Sequence, residues 1–108
     1  MSGGQLLVFS RAKSGRDAEF NRWYSEQHIP DTLRLAPEIH AAHRFTLNAI
    51  ATVEGTPAWQ YLTIYEIDAA QVPAVLERMN GAMGTAAMPM SDTADLSVTA
   101  VLHATPLA

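Results

Sequence analysis

Residues 61–67 read YLTIYEI, and this is the clearest strand in the chain: alternating, β-branched and aromatic. Side chains on a strand alternate between its two faces, so Tyr61, Thr63 and Tyr65 oppose Leu62 and Ile64. A strand with one face in water carries polar residues on that face. This one does not do so cleanly, and its sheet is therefore expected to be covered on both sides.

Working outward, EIHAAHRFTL predicts a strand from about Ile39 to Leu47, and Gly55 with Pro57 marks a turn in the connection that follows. Downstream, Val72, Val75, Leu76 and Met79 fall at i, i+3, i+4, i+7 and predict a helix from about Val72 to Asn80, with Pro73 in its first turn and Asn80-Gly81 as its stop. A loop of small residues and methionines follows, and then LSVTAVLHA, residues 96–104, as the last strand. At the other end QLLVFSRA is a strand, Gly15 breaks it, and a helix runs from Asp17 to about Gln27. Pro30 disfavours helical geometry at Ile29 and ends or bends that helix. The order is β-α-β-β-α-β, a ferredoxin-like α+β plan in which two helices cover an antiparallel four-stranded sheet. The 108 residues make one domain, 1–108.

Two helices cover only one face. Leu6 and Val8 oppose Leu7 and Phe9 in the first strand, and Leu96, Val98 and Leu102 oppose Val101 in the last, so both faces look buried and no segment is left for a third layer. A second copy, sheet against sheet, meets the need, and a homodimer is expected.

Composition narrows the function. With 48% hydrophobic and 17% charged residues the chain is an ordinary globular protein. The net charge is −4 and the seven Lys and Arg form no basic stripe, which argues against nucleic acid. The absence of cysteine removes disulfides, thiolate ligands and a Cys nucleophile. No HxH or HExxH pattern occurs, so no metal site is expected. Nothing reads as a secretory signal or a membrane span, and a cytoplasmic location is expected.

The first helix carries the chemistry. In FNRWYSEQHIP, residues 20–30, Phe20, Trp23 and Gln27 point to the middle of the buried face, while Asp17, Asn21, Tyr24 and His28 form a row along its edge. A histidine at the boundary of core and solvent, one turn beyond a phenol, suits general acid–base work. Read from position alone, His28 better suits a helix-end residue capping the last carbonyls. His43 shares a strand face with Ala41 and Phe45, and is either a pocket residue or a satisfied sheet histidine; His40 points to the opposite face. Tyr61 and Tyr65 share a face and offer hydroxyls to a carbonyl or to packing. Trp59 is a pocket rim or a dimer contact, and Met83, Met88 and Met90 either form an adaptable lid or fill gaps.

The motif EFNRWYSEQHIPDTL, followed by APEIHAAHRF and YLTIYEI, resembles the dimeric α+β barrel superfamily, in particular its EthD-like branch, whose first helix ends in a His-x-Pro element. The likeness covers nearly the whole chain, and the WYxxxHIP portion is its most specific part. It implies a pocket between sheet and helices, with His28 at the position of the family's histidine. The superfamily's chemistry is varied, from polyketide cyclases and muconolactone isomerases to cofactor-free monooxygenases and haem proteins. The reading that follows is a cofactor-independent isomerase, lyase or cyclase acting on a small apolar carbonyl compound of polyketide, lactone or aromatic type. His28, Tyr24 and Tyr65 are its expected catalytic residues, and Trp23, His43, Phe45, Tyr61 and Trp59 the expected substrate contacts. A haem-linked or cofactor-free monooxygenase, and a ligand-binding dimer without catalysis, are the alternatives.

Overall fold

The computed structural model describes residues 3–107. Four strands, β1 (Gln5–Ser10), β2 (Ile39–Thr46), β3 (Tyr61–Ile67) and β4 (Ala100–Ala104), form one sheet in the order β2-β3-β1-β4 with every pairing antiparallel. This is the ferredoxin-like plan expected from the periodicities. The helices are α1 (Asp17–Trp23), α2 (Ile29–Leu35) and α3 (Val72–Ala82), with a single 3₁₀ turn, Ala69–Gln71, leading into α3.

The register sorts the side chains between two faces. Leu6 stands opposite Tyr65, Val8 opposite Thr63 and Ser10 opposite Tyr61, and these face the helices. Tyr65, Leu6 and Ile67 pack there with Val72, Val75 and Met79 of α3, all buried. A second cluster joins Phe20 and Tyr24 of the first helical run to Ala12. The other face carries Leu7, Phe9, Leu62, Ile64, His43, Phe45 and Leu102, and among the described residues no helix covers it. Phe45 keeps 48% of its surface exposed and Leu102 51%.

Three boundaries differ from expectation. Pro30 does not end the first helix. Residues 17–35 form one continuous helical run, with Tyr24–His28 wound as a wider π-turn in which the Ile29 N–H donates to the Tyr24 carbonyl five residues back. A proline removes one N–H and its ring crowds the carbonyl four residues earlier; the wide turn accommodates both. The second long helix does not stop at Asn80-Gly81 but runs to Ala82. Its end is marked by Gly84, whose φ of +80° is the left-handed geometry that glycine tolerates best. The last strand is only Ala100–Ala104, because Leu96–Val98 forms a 3₁₀ turn that opens with the Asp95 side chain accepting from the Ser97 N–H. A bulge between Ile39 and Ala41 also breaks the alternation of β2, so Ile39 is buried against the helices while Ala41 and His43 lie on the open face.

Candidate functional site

The π-turn places the principal candidate. Each residue of a π-turn advances less around the axis than an α-helical residue. By residue 28 the phase has slipped back, so His28 moves to the centre of the buried face and is 8% exposed, while Gln27, expected there, is exposed. Trp23 stacks on the imidazole at 4.7 Å between centroids and 27° between planes. Tyr24 meets it edge-on at 4.9 Å and 73°. The Thr32 hydroxyl donates to the His28 carbonyl at 2.8 Å and ties the π-turn to α2.

His28 opens onto a cavity of about 300 Å³ between sheet and helices. Its floor is Leu6, Val8, Ser10 and Tyr65; α3 closes one side with Val75, Leu76 and Met79. Met83, Met90, Leu96 and Val101 stand at the mouth, each partly exposed. Met88, expected beside them, is fully buried in the core. The Trp23 indole donates to the Pro89 carbonyl at 3.3 Å and holds the methionine segment against the helix. Among the described residues no Lys, Arg, Asp or Glu lines this cavity. A larger hollow of about 440 Å³ lies at the end of the sheet beside Gly4, His40, Asp68 and Thr105, but it is shallow and has no buried titratable group.

Burial sets the charge states. It pushes the His28 imidazole below its usual value against a smaller opposing pull from Asp31, so the ring is neutral at pH 7. It pushes both the Tyr24 and the Tyr65 phenols up, with the neighbouring Tyr24 adding to the effect on Tyr65. The site thus holds two phenols that keep their protons and an imidazole that has room for one.

The remaining expected residues divide. Tyr61 faces the helices but stacks on Phe20, donates its hydroxyl to Asp17 at 2.6 Å and accepts from Asn21 at 3.1 Å; it packs beside the cavity without lining it. His43 and Phe45 lie on the open sheet face, with His43 Nε2 2.9 Å from Glu66 Oε2. Trp59 packs at a tilt of 34° against Phe9 of that same face, 4.7 Å between centroids, and its indole donates to the Val98 carbonyl. The sheet thus separates these three from His28.

Arg44 is the residue the sequence reasoning passed over. Its guanidinium lies 4.5 Å from the centroid of Tyr24, 5.5 Å from Tyr61 and 5.8 Å from Phe20, and its Nη1 donates to the Ser25 hydroxyl at 3.2 Å. No carboxylate pairs with it among the described residues. The three rings serve as its partners through their negative faces. Strand parity carried the signal: if His43 and Phe45 point one way, Arg44 points at the aromatic helix.

No family model matches the chain, and no curated protein matches it. Solved structures do. One is an ethyl tert-butyl ether D (EthD) family protein from Bacillus halodurans C-125, similar with a TM-score of 0.54 and 9% identity over 99% of this chain and 100% of that one. Another is an EthD-like protein from Ralstonia eutropha JMP134, with a TM-score of 0.59 and 13% identity over 96% of this chain and 91% of that one. At such identities the likeness is one of fold, and the fold is the one that the WYxxxHIP motif implied.

Proposed function

We propose, from a fold shared with EthD-type proteins, that this chain is a cofactor-independent isomerase, lyase or cyclase that moves a proton on a small, uncharged, apolar molecule bearing a carbonyl group. The observation that carries this reading is a buried neutral histidine beside two protonated phenols in an apolar cavity. In this mechanism the His28 imidazole takes a proton from the carbon next to the carbonyl. The electron pair moves onto the carbonyl oxygen as an enolate, and the Tyr65 hydroxyl donates a hydrogen bond to that oxygen as its charge grows. Tyr24 holds the ring of His28 edge-on and Trp23 supports its face. The imidazolium then returns the proton at a second carbon, or to a leaving oxygen. The low polarity of the walls strengthens each dipole.

The lining also bears on the haem alternative. A haem brings two propionates as well as a metal, and among the described residues no Lys or Arg lines the cavity to receive them; the residues present do not fit that group. A second copy is proposed to cover the open sheet face, with His43, Phe45 and Trp59 in that contact rather than against substrate.

The test is substitution at His28, after a substrate has been found among lactones, polyketide-like aromatics and enones. His28→Ala is expected to lower turnover about a hundredfold or more with fold unchanged. His28→Gln does not rescue it, because an amide exchanges no proton near neutrality, and Tyr24→Phe costs less. Full activity in both His28 variants defeats the reading. Binding without turnover in the wild type supports a ligand carrier, and oxygen uptake coupled to turnover supports an oxygenase.

A further inference from the structure

A histidine that accepts a proton from the cavity through Nε2 must carry its own proton on Nδ1, and that N–H needs an acceptor. In this protein His28 Nδ1 is buried and has no partner among the protein atoms. Three residues on, Asp31 Oδ2 is likewise buried and unpaired. The other oxygen of that carboxylate, Oδ1, is engaged by Arg34 Nη2 at 3.1 Å, and Arg34 also donates to the Ala87 carbonyl at 2.7 Å. The salt bridge therefore fixes which oxygen remains free and turns it inward. Residues three apart on a helical run are neighbours on its surface, and helical side chains lean toward the N-terminus, which carries the Asp31 carboxylate back over the turn of His28. Two complementary orphan groups, one donor and one acceptor, thus lie on adjacent turns of the same buried segment.

The geometry points to Asp31 as the positioning residue of His28: the two side chains make no direct hydrogen bond, and Oδ2 accepts from the Nδ1–H through one bridging water, which fixes the tautomer that presents a free Nε2 lone pair to the cavity. The inference rests on the proton-transfer reading of His28 for its meaning, though its structural content stands separately. Asp31 is also the source of the upward pull on the imidazole that partly opposes burial. The other groups packed around the ring are uncharged: Trp23 and Tyr24 on the same helical run, Tyr65 from β3, and the apolar residues of α3. Arg34 stands behind the carboxylate and neutralises it in part. Among the described residues, Asp31 thus supplies the negative charge near an imidazole that becomes positive during the reaction.

The pairing is tested without a substrate. In protein labelled with ¹⁵N-histidine, two-bond ¹H–¹⁵N correlation spectra report which ring nitrogen is protonated; the His28 signals are assigned by their loss in His28→Gln. The wild type is expected to show His28 with Nδ1 protonated. Asp31→Ala is expected to move the proton to Nε2 and to displace the titration midpoint of His28 to lower pH. Asp31→Asn, which keeps an accepting oxygen but no charge, retains the Nδ1–H tautomer and still lowers the midpoint. A wild-type spectrum with Nε2 protonated overturns the proposal even if neither variant folds, and so does an unchanged tautomer and midpoint in Asp31→Ala. The two readings fail separately. If turnover survives the loss of His28 while the tautomer result holds, the acid–base chemistry falls and the pairing stands. If His28 proves essential but its tautomer ignores Asp31, the reverse follows.

Discussion

At the scale of single residues, His28 is held neutral by burial, and this has a consequence for stability. Its folded value lies below the usual 6.5. Below that pH the unfolded chain takes up a proton there that the folded chain resists, so the unfolded state binds more protons and stability falls as pH falls. The contribution is complete above about pH 6.5 and is lost below it, toward the lower folded value. Urea midpoints measured between about pH 7 and pH 5 should therefore drop more steeply in the wild type than in His28→Gln. Glu38, held down at about 2 by Arg78, adds a separate loss between about 4.5 and 2 that both proteins share. The motif made His28 legible, because an aromatic pair followed by His-x-Pro is unusual for a plain core helix. Its central position was not legible. Regular α-helical phase puts Gln27 in the middle and His28 at the edge, and the wider turn reverses them. Arg44 was readable in principle from strand parity, but its carboxylate-free pairing with three rings depends on contacts between β2, β3 and the helix.

At the scale of elements, the sequence periodicities found the four strands among the described residues and the helices that begin at Asp17 and Val72; the continuation Ile29–Leu35 beyond Pro30 and several element ends were misjudged. The two glycines near the end of α3 make this testable. Gly81 is helical and a Cβ there meets nothing within 4 Å, whereas Gly84 sits at φ +80°. Gly81→Ala is expected to stabilise the protein by roughly 0.5–1 kcal/mol, the usual gain of alanine over glycine inside a helix. Gly84→Ala is expected to destabilise it by about 1 kcal/mol, because an L side chain is strained in the left-handed region. Thermal melts of the two variants distinguish them by sign. The reverse order of effects places the helix stop at Asn80-Gly81, as the sequence suggested. The local rule chose Gly81 because Asn-Gly is a strong stop signal. The helix continued because Met79, facing the core, and Ala82, packed against it, extend the same buried stripe by another half turn.

At the scale of the whole molecule, the open sheet face governs behaviour in solution. Leu7, Phe9, Leu62, Ile64 and Leu102 form a continuous apolar surface with Phe45 and Trp59 at its edge. The chain is expected to sediment as a dimer at micromolar concentration, and Leu62→Asp or Ile64→Asp to split or unfold it, since a charge buried without a partner is costly. A wild-type mass near that of one chain sinks this expectation. Among the described residues no helix is long and apolar enough to cross a membrane. By itself the sequence determined the element order, the antiparallel α+β class and the apolar character of both sheet faces. These follow from local periods of two and 3.6 residues, which are written in the chain and survive any error in the element ends. Only the tertiary structure decided which side of the sheet each candidate joined. Register and the β2 bulge put His43 and Phe45 on the open face, and the π-turn brought His28 to the cavity with Tyr24 and Tyr65. A shift of one residue in a strand, or one extra residue in a helical turn, exchanges inside for outside. The packing of distant segments selects between those alternatives, and no local pattern records the choice.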